Sequence, residues 1–188
     1  MNNLKINPIS LGETIPDVAL QNVRGEKINL RKLVSEKPTL IIFYRGGWCP
    51  YCNVHLADLG KIEAELVALG IQIVAISPDK PDYLKESEAK HELNYMLLSD
   101  SKMEAASAFG LAYKVDEATL NALAGYEIDL KEKSGQDHEM LPVPAAILVK
   151  KDLTISYVFA NEDYTIRVNN TVLLDDIQQA LNSEAIAV

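Results

Sequence analysis

The sequence has few cysteines, no long apolar run and no excess of basic residues. Only two of its 188 residues are cysteine, too few for the disulfide framework of a small secreted protein. No apolar stretch approaches the roughly 20 residues that a membrane-spanning helix needs. Lysine and arginine total 18 against 27 aspartates and glutamates, which gives a net charge of −9 and no basic stripe. We therefore expect neither a membrane nor a nucleic acid as partner.

The start of the chain, MNNLKINPISLGETIP, has neither the basic region nor the apolar region of a signal peptide. We therefore expect a cytoplasmic protein, in which closely spaced cysteines are kept reduced and are catalytic or metal-binding rather than structural. The length predicts a single domain over residues 1–188.

Both cysteines lie in the stretch TLIIFYRGGWCPYCNVHLADL, residues 39–59, which predicts a strand, a turn and a helix. The apolar run 39–44 is typical of a strand buried on both faces of a sheet, and two glycines follow it. Pro50 suits the first position of a helix, which places Cys49 at the N-cap. Because a helix N-terminus lowers the pKa of a thiol, Cys49 is the expected nucleophile towards a disulfide, with Cys52 as its resolving partner.

The rest of the chain predicts an α/β protein. The run IQIVAIS, 71–77, is a second buried strand, so that strand, helix and strand form a right-handed βαβ unit. The order of elements predicts a thioredoxin-like three-layer sandwich, a central mixed β-sheet with helices on both faces. The other predicted features are a hairpin turn at 24–25, a loop at 35–38, strands at 95–98, 145–150 and 154–160, helices at 82–91, 102–109, 116–124 and 172–181, and an insertion at 113–136.

A metal half-site and a pair of idle core thiols are the two alternatives for the CxxC pair. Zinc needs about four ligands, and the other candidates in this sequence are His55, His91 and His138. No second closely spaced ligand pair occurs, so we expect no metal and no cofactor.

Four further residues are candidates to support the dithiol. Arg45 precedes the glycines, where its charge can stabilise a thiolate or polarise a peroxide, and Trp48 completes the strand-turn-helix context. His55 falls on the apolar stripe of the helix. A packed histidine is the simpler interpretation of it, and a proton shuttle is the alternative. Pro144 stands just before a strand, where an ordinary trans proline is the simpler interpretation.

Four segments, in order, resemble the peroxiredoxin-like branch of the alkyl hydroperoxide reductase and thiol-specific antioxidant family. They are FYRGGWCPYC, AISPDKPDYL, MLLSDSKMEAASAFGL and LPVPAAILVKKDLTISYVFANEDYTIRV. The resemblance implies a thioredoxin-like fold and a thiol peroxidase that reduces hydrogen peroxide or alkyl hydroperoxides, with a thioredoxin- or glutaredoxin-type reductant. It also implies that Pro144 is a cis proline facing the CxxC pair.

The active-site segment departs from the peroxiredoxin motif Pro-x-x-x-Thr/Ser-x-x-Cys. In that register Arg45, Cys49 and Cys52 take the proline, threonine and peroxidatic positions. For a peroxide substrate, the resemblance implies that Cys52 attacks to give a sulfenic acid, with which Cys49 condenses. For a disulfide substrate, Cys49 attacks first, and the protein is a thioredoxin-like thiol-disulfide oxidoreductase.

Two expectations concern the surroundings of the pair. Where peroxiredoxins tend to place a distant arginine this chain has Val143-Pro144, and Arg167 is the candidate for the missing cation. Because peroxiredoxin-like domains often pair, a homodimer through the insertion 113–136 is the second expectation. A non-catalytic binding or dimer platform is the remaining alternative.

Overall fold

A seven-stranded mixed sheet forms the centre of the protein. The computed structural model describes residues 6–91 and 93–185, without the side chains of residues 91 and 182–185. The order in the large sheet is β2-β1-β5-β4-β3-β8-β9, and β6 and β7 form a separate pair. Among the described strands, only the β3-β4 and β4-β5 neighbours are parallel. The strands are β1 (Ala19–Asn22), β2 (Lys27–Asn29), β3 (Thr39–Phe43), β4 (Gln72–Ser77), β5 (Met96–Ser99), β6 (Ala112–Lys114), β7 (Met140–Pro142), β8 (Ala145–Val149) and β9 (Ile155–Ala160).

Helices cover both faces of this sheet, as the sequence predicts. The alternation along β3 shows why: Leu40 and Ile42 pack into one core with α2 and α7, and Ile41 and Phe43 pack into the other with α1 and α4. No helix within the described residues is both long and apolar enough to cross a membrane. The helices are α1 (Leu30–Glu36), α2 (Pro50–Ala68), α3 (Pro81–His91), α4 (Glu104–Ala108), α5 (Glu117–Ala124), α6 (Leu130–Ser134) and α7 (Asn170–Ala185).

Four short elements escape the sequence analysis. Helix α1 occupies part of the predicted loop, and the side chain of Asn29 caps it by accepting from the Lys32 amide at 2.8 Å. Within and beside the predicted insertion, β6 pairs with β7, and α6 begins at the cap Asp129. Elements of three to seven residues are too short to show a periodicity, which explains their omission.

The expectation that Pro144 is a cis proline is wrong. No peptide bond among the described residues is cis. The Val143 amide donates to the carbonyl of Leu111 at 2.8 Å, and the Asn161 amide donates to that of Pro144 at 3.3 Å. A trans linkage lets the chain continue extended from β7 into β8, where these neighbours hold it.

Candidate active site

The turn before α2 places both cysteines beside the ends of the parallel strands β3 and β4. Cys49 is the N-cap of α2 and Pro50 its first residue, as the sequence predicts. The Cys49 amide donates to the Gly46 carbonyl at 3.1 Å, and the Asn53 side chain donates to the Gly47 carbonyl at 2.9 Å. These two bonds fix the position of Cys49 relative to the helix.

Cys49 and Cys52 are free thiols, and both are buried. Their exposed fractions are 2% and 0%. A hydrogen bond from Cys52 lowers the pKa of Cys49 to about 6, and the charges of Arg45 and Arg167 act in the same direction. The same hydrogen bond and burial raise the pKa of Cys52 well above its ordinary value. The reduced pair therefore ionises first at Cys49.

Arg45 is buried beside the pair and held between two aromatic rings. Its Cζ atom lies 4.1 Å from the ring centroid of Tyr164 and 5.2 Å from that of Trp48. Its Nε has no hydrogen-bond partner among the described residues. The arginine is thus close enough to acidify Cys49, and its proposed contact with a peroxide stays a prediction.

Arg167 reaches the pair from the loop between β9 and α7. Its Nη2 lies 3.6 Å from Cys52 Sγ, and its Nη1 donates to the carbonyls of Tyr164 and Ile166. The two backbone contacts orient the guanidinium, so a fixed positive charge faces the sulfur. The structure places Arg167 at the site, where the sequence offered only its proximity to a strand.

His55 is buried one turn into α2 and borders an open groove of about 750 Å³. Its Nε2 has no partner among the described residues. Burial and the charge of Arg167 lower its pKa to about 4, so the ring is neutral at neutral pH. A neutral, packed ring favours the simpler interpretation of this residue over a proton shuttle.

The two histidines whose side chains the structure describes, His55 and His138, do not complete a metal site with the cysteines. His138 instead contacts the carbonyl of Ser101 and the amide of Met140, and the side chain of His91 lies outside the described residues. In the part of the chain that the structure describes, no group of three or more His, Cys, Asp or Glu side chains could hold a metal ion.

Asp79 is a functional residue that the sequence patterns did not single out. It is a buried carboxyl that contacts the turn 46–49 before α2, called the redox turn below. Its Oδ2 accepts from the Gly47 amide at 2.7 Å. A signal was available: Asp79 follows the predicted strand 71–77 after a single proline, and the carboxyl ends of neighbouring parallel strands share one edge of a sheet. Tyr164 gave no comparable signal, because it lies in an irregular loop.

Gly46→Ala is expected to destabilise the protein by about 2–4 kcal/mol. Gly46 has φ +146°, and a Cβ there would overlap Trp48 Nε1 and lie 2.9 Å from Asp79 Oδ1. Gly60→Ala is the control, because Gly60 lies exposed in α2 with open space around it. That variant should be stabilised by about 0.5–1 kcal/mol. Denaturant unfolding measures both, and an equal effect of the two substitutions would contradict the steric account.

The fold and the site define a thiol oxidoreductase of thioredoxin-like fold, with a reduced CxxC dithiol at a helix N-terminus. Arg167 contacts the Cys52 sulfur, and the charges of Arg45 and Arg167, from separate parts of the chain, both lower the pKa of Cys49.

Comparison with known proteins identifies the family. The model of the AhpC/TSA family matches residues 11–158, and the chain belongs to this family, as its motifs predict. The putative peroxiredoxin bcp of Haemophilus influenzae is 35% identical over 106 residues, which cover 56% of this chain and 68% of the relative. The peroxiredoxin Bcp of Escherichia coli is 32% identical over 106 residues, which cover 56% of this chain and 67% of that protein. Reduced Prx3 from Vibrio vulnificus superposes with a TM-score of 0.74 at 16% identity, covering 90% of this chain and 99% of that one.

Proposed function

We propose that this protein is a thiol peroxidase that reduces hydrogen peroxide or alkyl hydroperoxides while Cys49 and Cys52 cycle between dithiol and disulfide. Its family and its peroxiredoxin relatives support the activity. The observation that carries the cycle is that the only two cysteines of the chain are free thiols, buried together at the N-terminus of α2, with Arg167 Nη2 3.6 Å from Cys52 Sγ.

The chemistry follows from this pair in two steps. The Cys49 thiolate attacks one peroxide oxygen, the O–O bond breaks, and the leaving oxygen takes a proton as water or an alcohol. The Cys52 thiol then attacks the sulfenic acid on Cys49, which releases water and forms the disulfide. Two reducing equivalents from an external thiol restore the dithiol. The alignment with the peroxiredoxin motif implies the other order, in which the Cys52 thiolate attacks the peroxide and Cys49 then condenses with the sulfenic acid.

The burial of the pair supports a small substrate. Cys49 is 2% exposed, so a protein disulfide reaches its sulfur only if the turn moves, whereas a peroxide needs only a narrow opening. This favours the peroxidase over the thioredoxin-like disulfide oxidoreductase. Reduction by a protein thiol in turn requires the disulfide form to expose one of its sulfurs.

The type of reductant and the oligomeric state are proposals that go beyond what membership of the family shows. We infer a thioredoxin- or glutaredoxin-type reductant, because the internal disulfide needs a dithiol or two thiols to reduce it. A single domain over residues 1–188, a homodimer through segment 113–136 and a cytoplasmic location remain predictions from the sequence.

The reduced protein is expected to consume one equivalent of peroxide and to lose two thiols. Titration of thiols before and after addition of hydrogen peroxide measures this stoichiometry, and peptide mass spectrometry should find the Cys49–Cys52 disulfide. The double variant with serine at both positions is the control and should consume none. If the wild-type thiols remain after exposure to hydrogen peroxide and to an alkyl hydroperoxide, the proposed activity is wrong.

A further inference from the structure

Asp79 and Asp100 are both buried carboxyls that lie just after a strand, but their hydrogen bonds differ. The Oδ2 of Asp79 accepts from the Gly47 amide, but its Oδ1 is buried without a hydrogen-bond partner among the described residues. Asp100, directly after β5, uses both oxygens: they accept from the amides of Ala105 and Ala106 at 3.0 and 2.8 Å. Both oxygens of Asp100 therefore bind amides of α4, whereas one oxygen of Asp79 can still accept a hydrogen bond or bind a proton beside the redox turn.

Groups on several elements affect the pKa of Asp79. The pKa of Asp79 is raised to about 6, chiefly by burial; the charge of Cys49 acts in the same direction, and the Gly47 amide and Lys133 of α6 act in the opposite one. The pKa of Tyr44, which follows β3, is raised by burial and also by the charge of Asp79. A cavity of about 150 Å³ on the α3 side adjoins Asp79, and its other titratable neighbours are Tyr83, Glu86, Lys90 and Lys133.

We propose that Asp79 is a positioning residue of the dithiol site, which holds the redox turn through the Gly47 amide and exchanges a proton with solvent as the charge on Cys49 changes. The Asp79 carboxylate and the Cys49 thiolate are like charges in a buried region, so each opposes the ionisation of the other. When reduction of the disulfide leaves a thiolate on Cys49, Asp79 binds a proton more readily. When the disulfide forms and that charge disappears, Asp79 releases the proton.

This linkage does not depend on peroxide as the substrate. Any reagent that oxidises or reduces the pair changes the charge on Cys49 in the same way. Diamide and dithiothreitol can therefore prepare the two states, and a failure of the peroxidase assay would leave the inference on Asp79 open to its own test.

The first test compares the wild-type protein in its two redox states. Carbon-13 NMR of aspartate carboxyls follows each titration in the dithiol and the disulfide forms. We expect Asp79 to titrate lower in the disulfide form, by about half a pH unit or more, because coupling between sites is reciprocal. Asp100 provides the internal control and should not shift. If Asp79 titrates within about 0.1 unit of the same pH in both forms, the proposed coupling is overturned.

The second test removes the charge and keeps the contact. Asp79→Asn retains a side-chain oxygen for the Gly47 amide, and we expect the Cys49 thiolate, followed by ultraviolet absorbance, to form at lower pH than in the wild type. Asp79→Ala loses the contact as well, so its reaction with a thiol-alkylating reagent should show more than one rate as the turn loosens. Asp100→Asn is the matched control and should leave the thiolate titration unchanged.

The variants separate a positioning role from a structural one. A folded Asp79→Asn protein with the wild-type thiolate titration would overturn the charge coupling, and an Asp79→Ala protein with a single wild-type alkylation rate would overturn the role in holding the turn. Thermal unfolding establishes that each variant is folded. If the variants do not fold, the comparison of redox states in the wild type still decides the coupling.

Discussion

Cys49→Ser is expected to lower the rate constant for the reaction with peroxide by about 10³-fold or more, because serine replaces the acidified thiol. Cys52→Ser should retain the first step within about tenfold, since the serine hydroxyl can still donate to the Cys49 thiolate. In that variant no thiol remains to condense with the sulfenic acid. The trapped product should therefore be a sulfenic acid on Cys49.

Rapid-mixing kinetics and mass spectrometry with a sulfenic-acid-selective nucleophile measure these outcomes. The pH dependence of the wild-type rate adds an independent check. Because the pKa of Cys49 is lowered to about 6, the reactive thiolate fraction is lost as the pH falls through that value. The rate constant should fall with it, by about tenfold for each further pH unit.

The opposite pattern would reverse the roles of the two cysteines. If Cys52→Ser is inert while Cys49→Ser accumulates a sulfenic acid on Cys52, then Cys52 attacks peroxide, as the family register implies. That result would contradict the assignment made from the pKa shifts but would leave the peroxidase activity standing.

Arg167→Ala is expected to lower the peroxide rate at neutral pH by about 10- to 100-fold. The guanidinium lies 3.6 Å from Cys52 Sγ and contributes to the lowered pKa of Cys49. Without it the thiolate should form at higher pH, and the developing charge on the peroxide oxygens loses a fixed cation. Arg167→Lys should recover only part of the rate, because one ammonium group cannot keep the two backbone contacts and also face the sulfur.

Arg24→Ala is the matched control for the loss of one positive charge. Arg24 is exposed in the turn between β1 and β2, and its removal should leave both the kinetics and the thiolate titration unchanged. An Arg167→Ala protein with wild-type peroxide kinetics would remove Arg167 from the proposed mechanism. A rate loss without any change in thiolate titration would limit its role to the peroxide oxygens.

Local, strong sequence signals predict the structure around the site correctly. The apolar run 39–44, the two glycines and Pro50 predict β3, the turn and the start of α2, because each residue restricts its own backbone. The same holds for the hairpin at 24–25 and the antiparallel pair β8 and β9. For Pro144 the simpler trans interpretation is confirmed, and the cis proline that the family resemblance implies is wrong.

The primary structure alone specifies the class of chemistry and the fold. Two closely spaced thiols at a helix N-terminus after a buried strand can be recognised without coordinates, and so can the family motifs around them. Periodicity and turn residues carry that information, since they act over a few neighbouring positions.

The packing of distant segments adds charges and burial around the two thiols that the sequence does not show. Arg45, Asp79 and the loop that carries Tyr164 and Arg167 come from three separate parts of the chain, and the sheet edge and the loop after β9 bring them together around the CxxC turn. The hydrogen bond between the two thiols shifts the pKa values of the cysteines most, and burial and the nearby arginines modify the shifts. Electrostatic energy depends on distance and desolvation, which the order of residues in a sequence does not contain.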